Sequence, residues 1–176
     1  MHHKIEVKPL WISQLYGITQ DPETKNYIVV LEYASGGSLR NYLDTNYDKL
    51  NWENKIKSLW RIADGLREIH KKELIHRDLH IGNILKFSGQ AKITDMGLCR
   101  PADYNKLENT NNNKIYGVLP YIAPEILRGQ NYTKASDIYS FGIIMYEVIS
   151  GLPPYHDVSH DKSLAMKICL GHKTKV

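Results

Sequence analysis

One short segment, from Ile75 to Leu85, constrains this chain more than any other, and it reads IHRDLHIGNIL. Two histidines, an arginine, an aspartate and an asparagine are interspersed there with aliphatic residues. Aliphatic side chains favour the protein interior, and a loop that served only solubility would not need them. The segment therefore predicts a loop that is held rigidly over a hydrophobic core and presents a fixed set of polar groups.

The composition is that of an ordinary globular protein, with 176 residues, 42% hydrophobic and 24% charged. The net charge of +4 is mild and the basic residues are scattered, so we expect no nucleic-acid binding. No apolar stretch reaches the roughly 20 residues of a membrane span, so we expect no membrane association. Cys99 and Cys169 form neither a disulfide framework nor a zinc pattern, which predicts a reducing, cytoplasmic location.

Apolar periodicity and turn signals predict a mixture of strands and helices, that is, an α+β fold. The expected elements, in chain order, are two strands within residues 10–33, a short helix from Leu39 capped by Ser38, an amphipathic helix over residues 51–71, a hairpin formed by ILKF and AKIT, a long loop over residues 99–120, a helix from near Ala135 to Gly151, and a last helix ending at Gly171. The apolar stripe of the amphipathic helix comprises Trp52, Ile56, Leu59, Ile62, Ala63, Leu66 and Ile69.

Further motifs follow the opening segment in a fixed order. Asp78 and Asn83 lie within it, Asp95 begins the tripeptide DMG, and Glu125 ends the tripeptide APE. Four ordered matches make coincidence a poor explanation. The chain resembles the eukaryotic-type protein kinase family, whose motifs run H-R-D-L-x-x-x-N, D-F-G and A-P-E. The stretch ASDIYSFGIIMYEVISGLPPY is also typical of that family, and the sequence is nearest to its tyrosine-kinase-like serine/threonine branch.

The resemblance implies ATP and Mg²⁺ as cofactors and a protein as substrate. Asp78 would accept or orient the proton of the incoming hydroxyl, and Asn83 and Asp95 would hold the metal. Arg77 would pair with a phosphate on the long loop. His80 stands where serine/threonine kinases usually carry a lysine that contacts the transferred phosphate.

The loop offers several hydroxyl groups that could carry such a phosphate: Tyr104, Thr110 and Tyr116. For each of them an ordinary exposed loop residue is the favoured alternative. The histidine at position 76 is expected to support the loop by packing and hydrogen bonding rather than by proton transfer.

The resemblance also places the nucleotide. Leu31 would guard the back of the pocket, and the main chain of Glu32 and Ala34 would face adenine. Leu85 would form the apolar floor under the ring, although a plain core position is the alternative. The adjacent pair of glycines at 36 and 37 would let the chain turn out of the hinge.

The kinase pattern is incomplete in this sequence. Residues 1–35 match the end of the small lobe and the hinge, and residues 36–176 match the large lobe without its last helices. No glycine-rich loop or V-A-I-K lysine is present, so we expect a partial kinase domain, truncated at both ends. Met96 replaces the phenylalanine of D-F-G, and Val118 stands where many kinases have threonine.

Three functions stay open on these grounds. The first is a protein kinase acting on serine or threonine, with tyrosine not excluded, of which this chain is a fragment. The second is a non-catalytic kinase-like module that binds partners. The third follows from His80, because HRDLHIGNIL also resembles the H-x-D-x-H-x-x-N loop of small-molecule phosphotransferases.

Overall fold

The computed structural model describes residues 12–88, 90–104 and 115–174. It opens with an antiparallel hairpin of β1 (Leu15–Gln20) and β2 (Tyr27–Leu31). Asp21 closes the turn, since its carboxylate accepts from the backbone N–H groups of the second and third residues after it. The expected hairpin is confirmed, but its first strand begins only at Leu15.

Two helices follow the hairpin, α1 (Leu39–Asn46) and α2 (Trp52–Lys71). Ser38 and Asn51 cap them, because each side-chain oxygen accepts from the backbone N–H three residues later. Both starting points agree with the sequence analysis. The predicted apolar stripe of α2 is only partly right, since Trp52 and Ile56 are exposed.

Four short strands bring the polar loops together. Strands β3 (Leu74–Ile75) and β6 (Arg100–Pro101) pair antiparallel, as do β4 (Ile84–Phe87) and β5 (Gln90–Ile93). The β4–β5 hairpin is the one expected from ILKF and AKIT. The β3–β6 pair lies partly within the stretch predicted as a long loop, so that prediction was wrong at residues 100–101.

The C-terminal part is helical, with α3 (Pro124–Leu127), α4 (Lys134–Ser150) and α5 (Lys162–Cys169). A capping box at Thr133 starts α4, and Gly151 ends it with φ 77°, a conformation that glycine adopts without strain. Of the helices in the described part of the chain, none combines the length and the apolar character that a bilayer span requires.

The main core lies where α2 packs against β5 and α4. It is formed by buried side chains from α1, α2, the polar loop, the β4–β5 hairpin and α4, among them Leu43, Ile62, Leu66, Leu79, Ile84, Ile93 and Ile144. The loop from Ile75 to Leu85, called the HRD loop below, contributes aliphatic side chains to this core and is thereby anchored. The α+β architecture predicted from the sequence is confirmed.

Gly36 should be intolerant of a side chain because the backbone of β4 lies against it. Its N–H donates to the Lys86 carbonyl at 3.0 Å, and an added Cβ would lie 2.8 Å from Lys86 Cβ. We expect Gly36→Ala to lower the free energy of unfolding by about 1–3 kcal/mol in urea titrations. Gly142→Ala is the control: nothing lies near that Cβ, so this helical substitution should stabilise by about 0.8–1 kcal/mol. Equal effects would contradict the packing argument.

Candidate active site

A buried carboxylate on α4 fixes the backbone of the HRD loop. Asp137 accepts from the backbone N–H of His76 at 2.8 Å and from that of Arg77 at 3.0 Å. It also lies 2.9 Å from Nε2 of His70 at the end of α2. Arg77 has φ 72°, a left-handed conformation that costs free energy in a non-glycine residue. These hydrogen bonds to Asp137 offset that strain and set the direction of the residues that follow.

His76 is fully buried and joins two parts of the site. Its Nε2 lies 3.0 Å from the Thr94 carbonyl, and its Nδ1 accepts from the backbone N–H of Asp78 at 3.3 Å. Since Nδ1 is an acceptor, the proton of the ring belongs on Nε2. His76 therefore links Asp78 to Thr94, the residue between the end of β5 and Asp95.

Three of the sequence-predicted residues come together beside this histidine. The side-chain amide of Asn83 donates to the Asp78 backbone oxygen at 2.9 Å and to its Oδ2 at 3.2 Å. The backbone N–H of Thr94 donates to the Asn83 carbonyl at 2.9 Å, which brings Asp95 alongside. With its amide nitrogen bound to Asp78, Asn83 has its side-chain oxygen as its remaining ligand atom.

Asp95 is exposed and lies in the left-handed region at φ 58°. Its Oδ1 accepts from the backbone N–H of Gly97 at 3.3 Å, which orients the carboxylate. Carboxylate and amide oxygens are the hard donors that Mg²⁺ prefers, and Mg²⁺ usually takes only one or two protein carboxylates beside substrate phosphates and water. The donor set of Asn83 and Asp95 therefore fits that metal. Among the described residues, no group of three or more His, Cys, Asp or Glu side chains could hold a metal.

His80 faces Asp78 from the other side of the loop. Its Nδ1 accepts from the backbone N–H of Gly82 at 3.1 Å, so the ring carries its proton on Nε2, which lies 3.7 Å from Asp78 Oδ1. Burial lowers the pKa of His80, although the nearby Asp78 charge opposes this. His80 thus presents a neutral N–H to Asp78 where a lysine would present a cation.

The Arg77 guanidinium lies among aromatic rings. Its Cζ is 5.0 Å from the ring centroid of Tyr104, 5.3 Å from that of Tyr116 and 4.8 Å from that of Tyr132. The third of these tyrosines belongs to the turn before α4 and was not anticipated from the sequence. Thr110, another candidate for phosphorylation, lies outside the described residues.

The predicted nucleotide-binding residues lie at the junction of β2 and the β4–β5 hairpin. The Glu32 carboxylate receives Lys92 Nζ at 2.7 Å on both oxygens, and this contact lowers the pKa of Glu32. The backbone N–H of Glu32 donates to Gln14. Leu85, the predicted floor of the pocket, pairs with Lys92 across the hairpin. Lys92 therefore links Leu85 to Glu32 of the predicted hinge.

The exposure of these residues fits a surface that is open for a ligand. Leu31, at the end of β2, is 46% exposed, and Leu85 is half-buried rather than part of the fully buried core. The Ala34 carbonyl accepts from the N–H of Gly37, whose φ is 64°. Gly37 therefore makes the predicted turn, whereas Gly36 is needed for close approach to β4.

A buried acid lies beneath the residues that precede α3. Glu147, on α4, receives the Arg40 guanidinium on one oxygen and the Tyr121 hydroxyl on the other. Tyr121 lies near the HRD loop as well, because its ring centroid is 5.9 Å from that of His80. This network connects α1, α4 and the segment beside Asp78.

Sequence reasoning did not assign a site role to Lys92, Arg40 or Glu147. The signal for the first was available, because Lys92 stands opposite Leu85 in the predicted hairpin. A glutamate within an otherwise apolar stretch was the signal for Glu147, since a buried charge needs a partner. Nothing in the sequence pointed to Arg40 as that partner.

Comparison with known proteins agrees with this geometry. The model of the protein tyrosine and serine/threonine kinase family matches residues 5–175. The chain is 36% identical over 130 residues to serine/threonine-protein kinase CLA4 of Candida albicans, which covers 72% of the chain and 13% of that protein. It is 34% identical over 151 residues to the probable serine/threonine-protein kinase PknB of Lactococcus lactis, a match that covers 85% of the chain and 23% of that protein. Aurora kinase of Schizosaccharomyces pombe is 33% identical over 149 residues, a match that covers 84% of the chain and 40% of that protein.

The ordered motifs, the arrangement around Asp78 and the match over nearly the whole chain lead to one conclusion. The chain belongs to the protein tyrosine and serine/threonine kinase family. It spans 13 to 40% of the length of these three relatives, each of which is larger than the matched region.

Proposed function

We propose that this chain is part of a protein kinase that transfers the γ-phosphate of ATP to serine or threonine hydroxyls of a protein. The observation that carries the proposal is the cluster of Asp78, Asn83 and Asp95, held by hydrogen bonds of Asn83 to Asp78 and Thr94 on a loop whose backbone is bound to α4. Phosphoryl transfer needs positioning and charge neutralisation more than covalent chemistry, and a rigid cluster of oxygen ligands and a base suits it. The names of the three relatives support the kinase class, and two of them specify serine/threonine.

Asp78 is proposed as the residue that orients the acceptor hydroxyl and takes its proton. Asn83 donates to one of its oxygens, and His80 lies on the side of the other. Both contacts fix the orientation of the carboxylate. Arg77, in this proposal, acts at a distance by holding the neighbouring loop rather than by touching the substrate.

Asn83 and Asp95 are proposed to hold Mg²⁺ against the phosphates. When bound, the ion neutralises charge on the transferred phosphoryl group. The chain's own contribution is to orient the two ligands: Asn83 is fixed by Asp78, and Asp95 by Gly97.

The nucleotide base is proposed to lie between the hinge and β4. The main-chain groups of Glu32 and Ala34 would meet the adenine edge, with Leu31 behind the ring and Leu85 below it. The Glu32–Lys92 ion pair keeps the hinge at a fixed distance from Leu85, because Lys92 pairs with Leu85 across the hairpin. A cytoplasmic location remains a prediction from composition.

A non-catalytic kinase-like module that binds partners is the second candidate, because a fold can be kept for its surface without its chemistry. Such a module has no need of Asp78, Asn83 and Asp95 together, whereas a kinase needs all three. The preserved contacts among them favour the enzyme. The small-molecule phosphotransferase reading has less support, because the matched family is that of protein kinases.

Magnesium-dependent nucleotide binding separates these two candidates. We expect ATP with Mg²⁺ to raise the melting temperature of the natural protein more than ATP with EDTA does. Asp95→Asn should remove that difference, because an amide replaces an anionic metal ligand, and Asp103→Asn, at an exposed aspartate nearby, should keep it. A wild-type protein that shows no shift with Mg-ATP would support the binding module instead.

A further inference from the structure

Three tyrosine side chains surround the guanidinium of Arg77, and we call them the tyrosine cage: Tyr104, Tyr116 and Tyr132. All three ring centroids lie between 4.8 and 5.3 Å from Arg77 Cζ. The face of an aromatic ring is electronegative and attracts a cation within about 6 Å. Each ring is therefore within the range at which it stabilises the arginine.

The cage takes the place that an anion would otherwise occupy. Among the ion pairs formed by residues in the described ranges, none includes Arg77, and its Nε is buried with no hydrogen-bond acceptor. Arg77 is half-buried, and removing part of a cation from water without an ion pair costs free energy. The ring faces supply the compensating negative potential without a carboxylate or a phosphate.

The cage also joins two segments that are distant along the chain. Tyr104 comes shortly after β6, and Tyr116 lies in the segment that leads to α3. The Tyr132 hydroxyl donates to the Tyr116 carbonyl at 2.6 Å and accepts from the Tyr116 N–H at 2.8 Å. Residue 116 is thus bound through its backbone as well as its ring.

This arrangement bears directly on the proposed base. Gly117 follows Tyr116, and a Cβ added to it would lie 3.4 Å from Asp78 Oδ1. Its φ of 105° is one that glycine adopts readily. A cage that fixes Tyr116 therefore also fixes the backbone next to the Asp78 carboxylate.

We propose that the tyrosine cage holds Arg77 and the segment around Tyr116 in the ordered arrangement without phosphorylation of either Tyr104 or Tyr116. The rings do by cation–π attraction what a loop phosphate would do by ion pairing. This inference deepens the proposed function, on which it rests for the importance of Asp78. It concerns the regulation of that site, and it makes the ordered arrangement a property of the unmodified chain.

Amide hydrogen exchange in the peptide covering residues 115–123 tests the proposal independently of kinase activity. Phosphatase-treated wild-type protein should exchange slowly there. Tyr104→Phe/Tyr116→Phe should also exchange slowly, because phenylalanine retains the ring face and cannot be phosphorylated. Tyr104→Leu/Tyr116→Leu should exchange about tenfold faster, because leucine has no such face. Tyr33→Leu, at a side chain that is 87% exposed, is the matched control and should behave as wild type.

Two results would overturn the proposal. Fast exchange in phosphatase-treated wild type would show that a phosphate is required for order. Phenylalanine variants as fast as the leucine variants would show that the hydroxyl groups or their phosphorylation matter, and not the rings. If the exchange results hold but the protein transfers no phosphate, the cage stands and the proposed function fails.

Discussion

Asp78→Asn should lower kcat for phosphorylation of a protein substrate by about 10³-fold in the longest natural form of the protein. Asparagine has almost the same shape and can still accept the Asn83 hydrogen bond, so the HRD loop should keep its conformation. What is lost is the ability to take a proton and the negative charge that orients the hydroxyl, which is commonly worth 10²–10⁴-fold. The KM for ATP should change little, because Asp78 is not proposed to contact the nucleotide.

Steady-state kinetics with radiolabelled ATP would measure this change. Asp48→Asn serves as the control, since Asp48 is an exposed aspartate in a short 3₁₀ turn after α1. A variant at position 78 that phosphorylates at a rate near that of wild type would exclude Asp78 as the base. An unchanged melting temperature in both variants would show that the comparison reports chemistry and not folding.

Arg40→Met should destabilise the fold by about 3–5 kcal/mol at neutral pH, because it leaves the Glu147 carboxylate buried without its cation. Glu147 is 1% exposed and would keep only the Tyr121 hydroxyl. Arg67→Met is the matched control: that guanidinium is exposed and pairs with Asp64 on the surface of α2. Such pairs contribute about 0–1 kcal/mol, so urea denaturation should show a clear difference between the two variants.

The pH dependence of the same variant follows from the pKa of Glu147. Burial raises that pKa above the ordinary value of 4.5, and loss of Arg40 removes an opposing attraction. The folded variant then retains a proton that the unfolded chain has lost, so its stability falls as pH rises through the folded pKa. The deficit relative to wild type should be smaller at pH 5 than at pH 8.

The double variant Arg40→Met/Glu147→Met provides a rescue test. With no buried charge left, a methionine pair should recover much of the lost stability. A double variant that is no more stable than Arg40→Met would contradict the view that the unpaired carboxylate causes the loss.

Local signals allowed much of the fold to be predicted. Ser38, Asn51 and Gly151 mark helix ends through contacts within a few residues, and such contacts depend little on the rest of the chain. The resemblance of the ordered motifs was likewise sufficient to predict that Asp78, Asn83 and Asp95 lie close together.

Long-range packing could not be predicted in the same way. Periodicity identified an apolar stripe on α2, but it could not show that Trp52 and Ile56 are more than half exposed in the described structure. Arg77 was expected to meet a phosphate, and its contact with Tyr132 depends on how the turn before α4 lies against the HRD loop. Pairings between residues far apart in sequence arise only when the chain has folded.

The hairpin of β1 and β2 implies that the molecule does not open uniformly. Its strands are largely exposed on both faces, and two-stranded hairpins are marginally stable by themselves. The contacts that tie it to the rest include the Glu32–Lys92 pair and the hydrogen bond from the Ser13 N–H to the Ile93 carbonyl. Local unfolding of this element can therefore release Leu31 and Glu32 while α2, α4 and the HRD loop stay folded. The proposed contacts to the nucleotide base and the geometry at Asp78 therefore rest on parts of the described structure that we expect to differ in stability.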